Sequence, residues 1–172
     1  MNLEYRNLLD EQFDPHSRVW IYQSNRLFSL PEALEIEATL NNFTSNWLSH
    51  GSSVKGEAHL FFGQFIVLLA DETATSVGGC STDSSVHLVK AIEQQFSVNL
   101  FDRTTLAFVA KEKVQLLPLS QLPYAIENGF ITGDTLYFNN TVQTKKELET
   151  RWIIPVKESW LAKRFSFTRP VS

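Results

Sequence analysis

The sequence has little cysteine and no long hydrophobic run, and each absence excludes a class of protein. Cys80 is the only cysteine in 172 residues, so no internal disulfide forms, which fits a reducing compartment such as the cytoplasm. The longest apolar block runs from Phe65 to Ala70 and is far shorter than the ~20 residues of a membrane span. The first residues also lack the basic and then apolar pattern of a signal peptide. We therefore expect a soluble cytoplasmic protein without a membrane span.

Motifs for nucleotide binding, acyl transfer and metal binding are missing as well. The sequence has no Gly-x-x-x-x-Gly-Lys-Ser/Thr loop, no Gly-x-Gly-x-x-Gly turn and no Gly-x-Ser-x-Gly elbow. The pair Gly78-Gly79 replaces neither loop, because the lysine and the glycine spacing are absent. The histidines are scattered, at His16, His50, His59 and His87. Since no Cys-x-x-Cys or His-Glu-x-x-His spacing accompanies them, we predict no metal and no cofactor.

What is present is the composition of one globular domain with an aromatic core. The chain is 43% apolar and 20% charged, with thirteen phenylalanines and four tryptophans. Its formal net charge of -4 does not favour a nucleic-acid partner, because binding to phosphate comes mainly from a lysine- and arginine-rich face. We predict a single domain over residues 1–172, with an N-terminal segment 1–16, a core 17–117 and a C-terminal extension 118–172.

The first half of the predicted core contains a strand, a helix and a hairpin. Arg18–Gln23 is aromatic and β-branched, which is typical of a strand. A helix should begin at the capping pair Ser29 and Glu32 and close at His50-Gly51. Val54 to Phe62 and Phe65 to Asp71 follow as two strands around a glycine turn, or as one long bent strand. The second of these has no polar alternation, which predicts a strand buried on both faces.

The second half adds a helix and another hairpin. Residues 85–96 repeat apolar positions at helical spacing, with the helix ending near Ser97. Thr104 to Ala110 and Val114 to Leu117 read as strands around Lys111-Glu112. The order βαββαβ predicts a ferredoxin-like α+β fold, which is an antiparallel sheet with helices on one face. That fold would place the first and third strands in the middle.

The C-terminal extension is harder to interpret. Leu119 to Asn128 suggests a short helix stopped by Gly129, Thr135 to Phe138 a strand, and Thr144 to Arg151 a helix. The aromatic segments Trp152 to Pro155 and Trp160 to Phe167 read as irregular or strand-like. Because a four-stranded sheet would leave one face wet, we expect the extension to cover or extend it.

The start of the second helix is the first candidate site. We expect Ser81, Thr82 or Asp83 to cap it, where free backbone N–H groups and a partial positive charge meet. Such a start can hold a phosphate or carboxylate, and the candidate ligands of a small anion are Gly79, Ser81, Thr82, Asp83 and Ser84. The alternative is a structural cap that binds nothing.

Cys80 is the second candidate, because a thiolate is stabilised next to a helix start. The predicted topology places His50 and Asp71 at the same end of the sheet, together with His16, Trp47 and Glu72. A nucleophile, a base and an orienting carboxylate are thus brought together. The alternative is a cysteine that acts as a small buried hydrophobe.

Several short segments resemble a family of bacterial proteins of about this length without an established activity. The segments are Trp20 to Ser24, Trp47 to Gly51, Gly79 to Ser85 and Phe101-Asp102-Arg103. Some members carry the automatic label "ABC transporter ATPase". The resemblance spans most of the chain and implies no catalytic residues. An ABC ATPase has a Walker A loop, a signature motif and a larger domain, and this sequence has none of them.

These observations lead to three hypotheses about function. The first is a non-enzymatic binding module, which uses either the Cys80 end for a small anionic ligand or the C-terminal aromatics for a protein partner. The second is a thiol-dependent enzyme that uses Cys80 with His50. The third is a structural subunit of a homo-oligomer, which an open sheet face or edge would favour.

Overall fold

A computed structural model describes residues 1–167, which combine helices with antiparallel strands in two compact units. The first unit consists of residues 2–101 and 142–149. The second consists of Met1, residues 102–141 and residues 150–167. The mixed α+β class predicted from the sequence is confirmed.

Helices are interspersed among the strands along the chain. Those up to residue 101 are β1 (Arg18–Gln23), α1 (Leu30–Ser45), β2 (Leu48–Ser49), β3 (Ser52–Ser53), β4 (Lys55–Phe61), β5 (Phe65–Asp71) and α2 (Gly79–Phe96). Those that follow are β6 (Thr105–Ala110), β7 (Lys113–Pro118), α3 (Leu122–Glu127), β8 (Leu136–Phe138), α4 (Lys145–Arg151), β9 (Ile153–Pro155) and α5 (Leu161–Arg164). Single 3-10 turns lie at Arg6–Leu8, Leu119–Gln121 and Val156–Glu158.

The first unit contains an antiparallel sheet of order β1-β5-β4. Every residue of β5 is buried, which confirms the prediction made from its unbroken apolar run. Helices α1 and α2 pack on one face of this sheet, in a cluster of buried residues from both helices and the strands: Tyr22, Ile36, Leu40, Ile66, Leu68, Val89 and Ile92. The predicted β4–β5 hairpin is confirmed as well.

Helix α1 begins as predicted but ends earlier. The hydroxyl of Ser29 accepts a hydrogen bond from the backbone N–H of Glu32, whose carboxylate accepts one from Ser29 N–H, so the capping box is confirmed. The predicted close at His50-Gly51 is wrong. These two residues have φ angles of 50° and 79° and form the turn between β2 and β3. Helix α1 ends at Ser45 with Asn46 as its C-cap, and the carbonyl of Trp47 then accepts the N–H of Val54 across this small hairpin.

The predicted four-stranded ferredoxin-like sheet is not formed among residues 1–167. Strand β6 pairs with β7 and β8 in a second sheet of order β7-β6-β8-β9. Its register with β8 places Phe108 opposite Tyr137, with ring centroids 5.5 Å apart and the ring planes tilted. Strand β1 is therefore at the edge of its sheet and not central, and Gln143 and Thr144 pair beside it.

The C-terminal extension places Gln143 and Thr144 beside β1 of the first sheet, whereas β8 and β9 complete a separate sheet. The core beside this second sheet includes Phe108, Leu122, Ile131 and Val156. The short helix before Gly129 is confirmed, and that glycine has φ 73°. The segment from Trp160, predicted to be irregular or strand-like, forms the short helix α5 in its middle.

Candidate functional site

The start of α2 differs from the predicted cap. Gly78 is the N-cap residue, and no side chain caps the helix. Because glycine is tolerated at an N-cap position, the helix begins at Gly79, ahead of Ser81 and Thr82 in the sequence. The hydroxyls of Ser81 and Thr82 instead donate to the carbonyl of Gly78, at 2.9 and 3.0 Å. The prediction that Ser81, Thr82 or Asp83 caps α2 is therefore wrong.

The predicted anion ligands hold mainly backbone contacts. The hydroxyl of Ser84 donates to the carbonyl of Ser81 at 2.8 Å, which leaves its hydrogen unavailable to a ligand. Asp83 adds a negative charge that repels anions. Gly79 has no side chain that could compete with a ligand, and nothing lies within 4 Å of the position that a Cβ would take there. An anion site here stays a prediction, and the hydroxyl contacts favour a purely structural helix start.

Cys80 and His50 lie at the same end of the first unit. Cys80 is exposed in the first turn of α2. The ring of His50 lies against Gly78. A methyl group on that glycine would be only 2.9 Å from Nε2 of His50. The indole of Trp47 donates to the carbonyl of Ser81 at 3.0 Å and fixes the same helix start.

Asp71 is held by structural contacts and not by His50. It is 2% exposed, and its carboxylate accepts hydrogen bonds from Thr73 N–H, the Thr73 hydroxyl and Asp14 N–H at 3.0, 2.7 and 3.0 Å. The ammonium of Lys55 lies 3.4 Å away. Burial opposes ionisation, but these donors outweigh it and hold the pKa of Asp71 well below its usual range. Asp71 therefore anchors the N-terminal segment to the sheet.

A groove in the second unit is the site that sequence reasoning missed. It has a volume of about 920 Å³ and lies on one face of the β6–β7 hairpin, beside α3 and the loop after it. We call it the β6–β7 groove. Its lining includes Phe108, Ala110, Lys111, Lys113, Gln115, Leu117, Tyr124, Ala125, Phe130 and Ile131.

Aromatic rings and positive charges meet in the β6–β7 groove. Tyr124 and Phe130 are 66% and 69% exposed, while Phe108 in the same lining is fully buried. Among residues 1–167, the charged side chains in the lining are Lys111 and Lys113, and no carboxylate of this range lines the groove. Neither lysine has an acidic partner within residues 1–167. The groove therefore offers an apolar surface with a positive rim.

The sequence contained only part of the signal for this groove. Lys113, Gln115 and Leu117 alternate along β7, as expected for one face of a strand. That the face stays partly uncovered depends on α3, which is only six residues long. No local pattern shows how much of a sheet a short helix covers.

Other classes of site are not apparent in the described part of the chain. Within residues 1–167, no three His, Cys, Asp or Glu side chains come close enough to hold a metal ion. No helix in this range is both long and apolar enough to cross a membrane. Comparisons with protein-family models, curated proteins and solved structures find no match to this chain.

Proposed function

We propose that the protein is a non-enzymatic interaction module that binds a partner protein through the β6–β7 groove. The observation that carries this function is the exposure of Tyr124 and Phe130 beside Lys111 and Lys113, which pair with no acidic side chain of residues 1–167. Exposed aromatic side chains next to a concave apolar surface are typical of binding sites. The positive rim favours a partner that presents acidic side chains.

A protein segment fits this groove better than a small molecule does. Its volume of about 920 Å³ is at the upper end of the roughly 300–1,000 Å³ typical of small-ligand pockets. Such pockets bury most of their ligand, whereas Tyr124 and Phe130 stand largely in solvent. Partner side chains that cover these rings would remove apolar surface from water on both molecules.

The lining also favours binding over catalysis. Its described residues include no Ser, Cys, His, Asp or Glu, so the part of the lining within residues 1–167 supplies neither the nucleophile nor the base of Ser–His or Cys–His chemistry. This sequence has no Walker A loop, so it does not support the ATPase label that some members of the similar family carry.

The thiol-dependent enzyme is a second candidate function. It is favoured by the exposure of Cys80 and by the ring of His50 against Gly78. Asp71 would not orient His50, since its described contacts are to Thr73, Asp14 and Lys55. The pair would have to work without a third group.

Peptide selection tests the proposed module directly. A library of random peptides displayed on phage would be selected against the full chain, and each enriched peptide measured against Phe130→Ala, Tyr124→Ala and the control Leu34→Ala. Leu34 is an exposed leucine of α1, far from the groove in the sequence. We expect enriched peptides that bind both groove variants at least tenfold more weakly and the control normally. No enrichment, or equal binding to all variants, contradicts the proposal.

A further inference from the structure

Strand β7 is an open edge of the second sheet, directly beside the β6–β7 groove. The strand order β7-β6-β8-β9 leaves β7 with one neighbour. Within residues 1–167, no backbone group of β7 bonds to another strand on the side away from β6, and the carbonyl of Leu116 accepts a long contact of 3.4 Å from the side-chain amide of Gln115. An open edge of this kind can pair with an extended segment of another chain.

The turn between β6 and β7 fixes which backbone groups face outward. Lys111 and Glu112 have φ angles of 50° and 60°, as in the two-residue type I′ hairpin turn. Ala110 and Lys113 flank this turn and are register partners, so they form the hydrogen-bonded pair that closes the hairpin. Bonded and non-bonded pairs then alternate along an antiparallel ladder.

Val114 and Leu116 therefore direct their N–H and C=O groups away from β6. Pro118 is the next residue of this outward set, opposite Thr105. A proline lacks an N–H group, which costs the sheet nothing at an outer edge. The open part of the edge is thus the short stretch from Val114 to Leu117.

The side chains of β7 then select what can pair there. Lys113, Gln115 and Leu117 line the groove, and the two residues at the ends of the strand are Lys113 and Pro118. Lysine and proline at an edge discourage indiscriminate pairing. A segment with a carboxylate opposite Lys113 would overcome this, while a basic segment would be repelled.

We infer that the β6–β7 groove binds an extended acidic segment of the partner protein, which pairs with the outer edge of β7 as an added strand. Its acidic side chains lie next to Lys111 and Lys113. Its apolar side chains on the same face cover Leu117, Tyr124 and Phe130. Strand addition presupposes that the groove is the binding surface proposed above.

The probe for this mode is the labelled peptide acetyl-Glu-Val-Glu-Val-Phe-Val-amide, titrated into the full chain and followed by fluorescence anisotropy. Alternation along a strand places both glutamates and the phenylalanine on one face. The matched control is the same peptide with lysines in place of the glutamates. We expect the control to bind at least tenfold more weakly. The variant Lys111→Glu/Lys113→Glu, at two exposed positions, should reverse this preference because both positive charges become negative. Equal binding of the two peptides to the wild type would overturn the acidic specificity.

Backbone methylation tests the added strand itself. Two further probes carry N-methyl groups at alternate residues, one at the odd and one at the even positions. Because successive N–H groups of a strand point to opposite sides, one of these probes should lose binding at least tenfold and the other should keep it. Equal effects in both probes overturn strand addition.

The outcomes separate this mode from the proposed function. A probe that binds in a Phe130-dependent manner but is insensitive to the position of methylation leaves the groove as the binding surface and excludes the added strand. If the acidic probe does not bind but phage-selected peptides depend on Phe130, the acidic strand is wrong and the interaction module stands. If no peptide of either origin binds, both are wrong.

Discussion

Asp71 shows how a residue that looks catalytic in the sequence has a structural role. Its carboxylate is buried and joins Thr73, Asp14 and Lys55. Asp71→Asn keeps the shape but removes the charge that these donors face. We expect the free energy of unfolding to fall by about 2 kcal/mol, measured by urea denaturation at neutral pH. Asp83→Asn, at an exposed position, is the matched control and should change it by less than about 0.5 kcal/mol.

The same residue predicts how stability depends on pH. The folded-state pKa of Asp71 lies below its usual value, because hydrogen bonds and Lys55 outweigh the effect of burial. Its contribution is therefore fully present above the ordinary Asp pKa of about 4 and is lost as pH falls through the folded-state pKa. The difference in unfolding free energy between wild type and Asp71→Asn should shrink below about pH 4. A difference that stays constant down to pH 2 would show that the charge does not matter.

Cys80 distinguishes the binding module from the thiol enzyme. It is exposed, so iodoacetamide should modify it in the folded protein. As a residue of a binding module it has no activating role, and we expect labelling near pH 7 at about the rate of free cysteine. Labelling at least tenfold faster, abolished in Cys80→Ser and slowed in His50→Ala, would favour the enzyme instead.

At the scale of elements, close packing between the β2–β3 hairpin and the main sheet depends on a glycine. A Cβ on Gly56 in β4 would lie 2.8 Å from the ring of Trp47, which is 2% exposed. Gly56→Ala should lower the free energy of unfolding by about 1–3 kcal/mol, because this buried ring must shift. The measurement is thermal and urea denaturation.

Gly79→Ala is the matched control for that substitution. Nothing lies within 4 Å of a Cβ at this position in the first turn of α2, and alanine is the better helix former by up to about 1 kcal/mol. We expect it to be neutral or stabilising. Equal destabilisation by both substitutions would mean that the contact with Trp47 is not the cause.

Single elements were predictable where their signal is local. The unbroken apolar run of Phe65–Asp71 indicated a buried strand, and Ser29 with Glu32 indicated a helix start. The start of α2 was missed because several capping residues follow one another, and Gly78 takes the position before any of them. Pairing was missed because alternation predicts that Thr105–Ala110 is a strand but does not say which strand lies beside it.

At the scale of the whole molecule, the chain leaves the first unit after residue 101 and returns to it for residues 142–149. Lys145 fixes this return. Its side chain is buried, and the ammonium donates to the carbonyls of Asp10 and Phe13 at 2.8 and 3.1 Å. Its backbone N–H donates to Ser17. Local sequence patterns predict hairpins and helices but not these contacts, because Lys145 is more than 130 residues away from Asp10 and Phe13 in the sequence.

Lys145→Met tests how much the first unit depends on the returning segment. Methionine keeps most of the apolar stem but leaves two carbonyls without their donor, which we expect to cost about 2 kcal/mol in unfolding free energy. Lys146→Met at the neighbouring position is the control, measured in the same denaturation series. Equal values for the two variants would contradict an anchoring role for Lys145.

The most direct test of the interaction module is the affinity of a phage-enriched peptide for the wild type and for Phe130→Ala. Phe130 is 69% exposed, so its truncation should leave the fold intact, which circular dichroism checks. We predict saturable binding to the wild type and a dissociation constant at least tenfold higher for Phe130→Ala, with Leu34→Ala unchanged. The same dissociation constant for all three proteins would contradict binding in the β6–β7 groove.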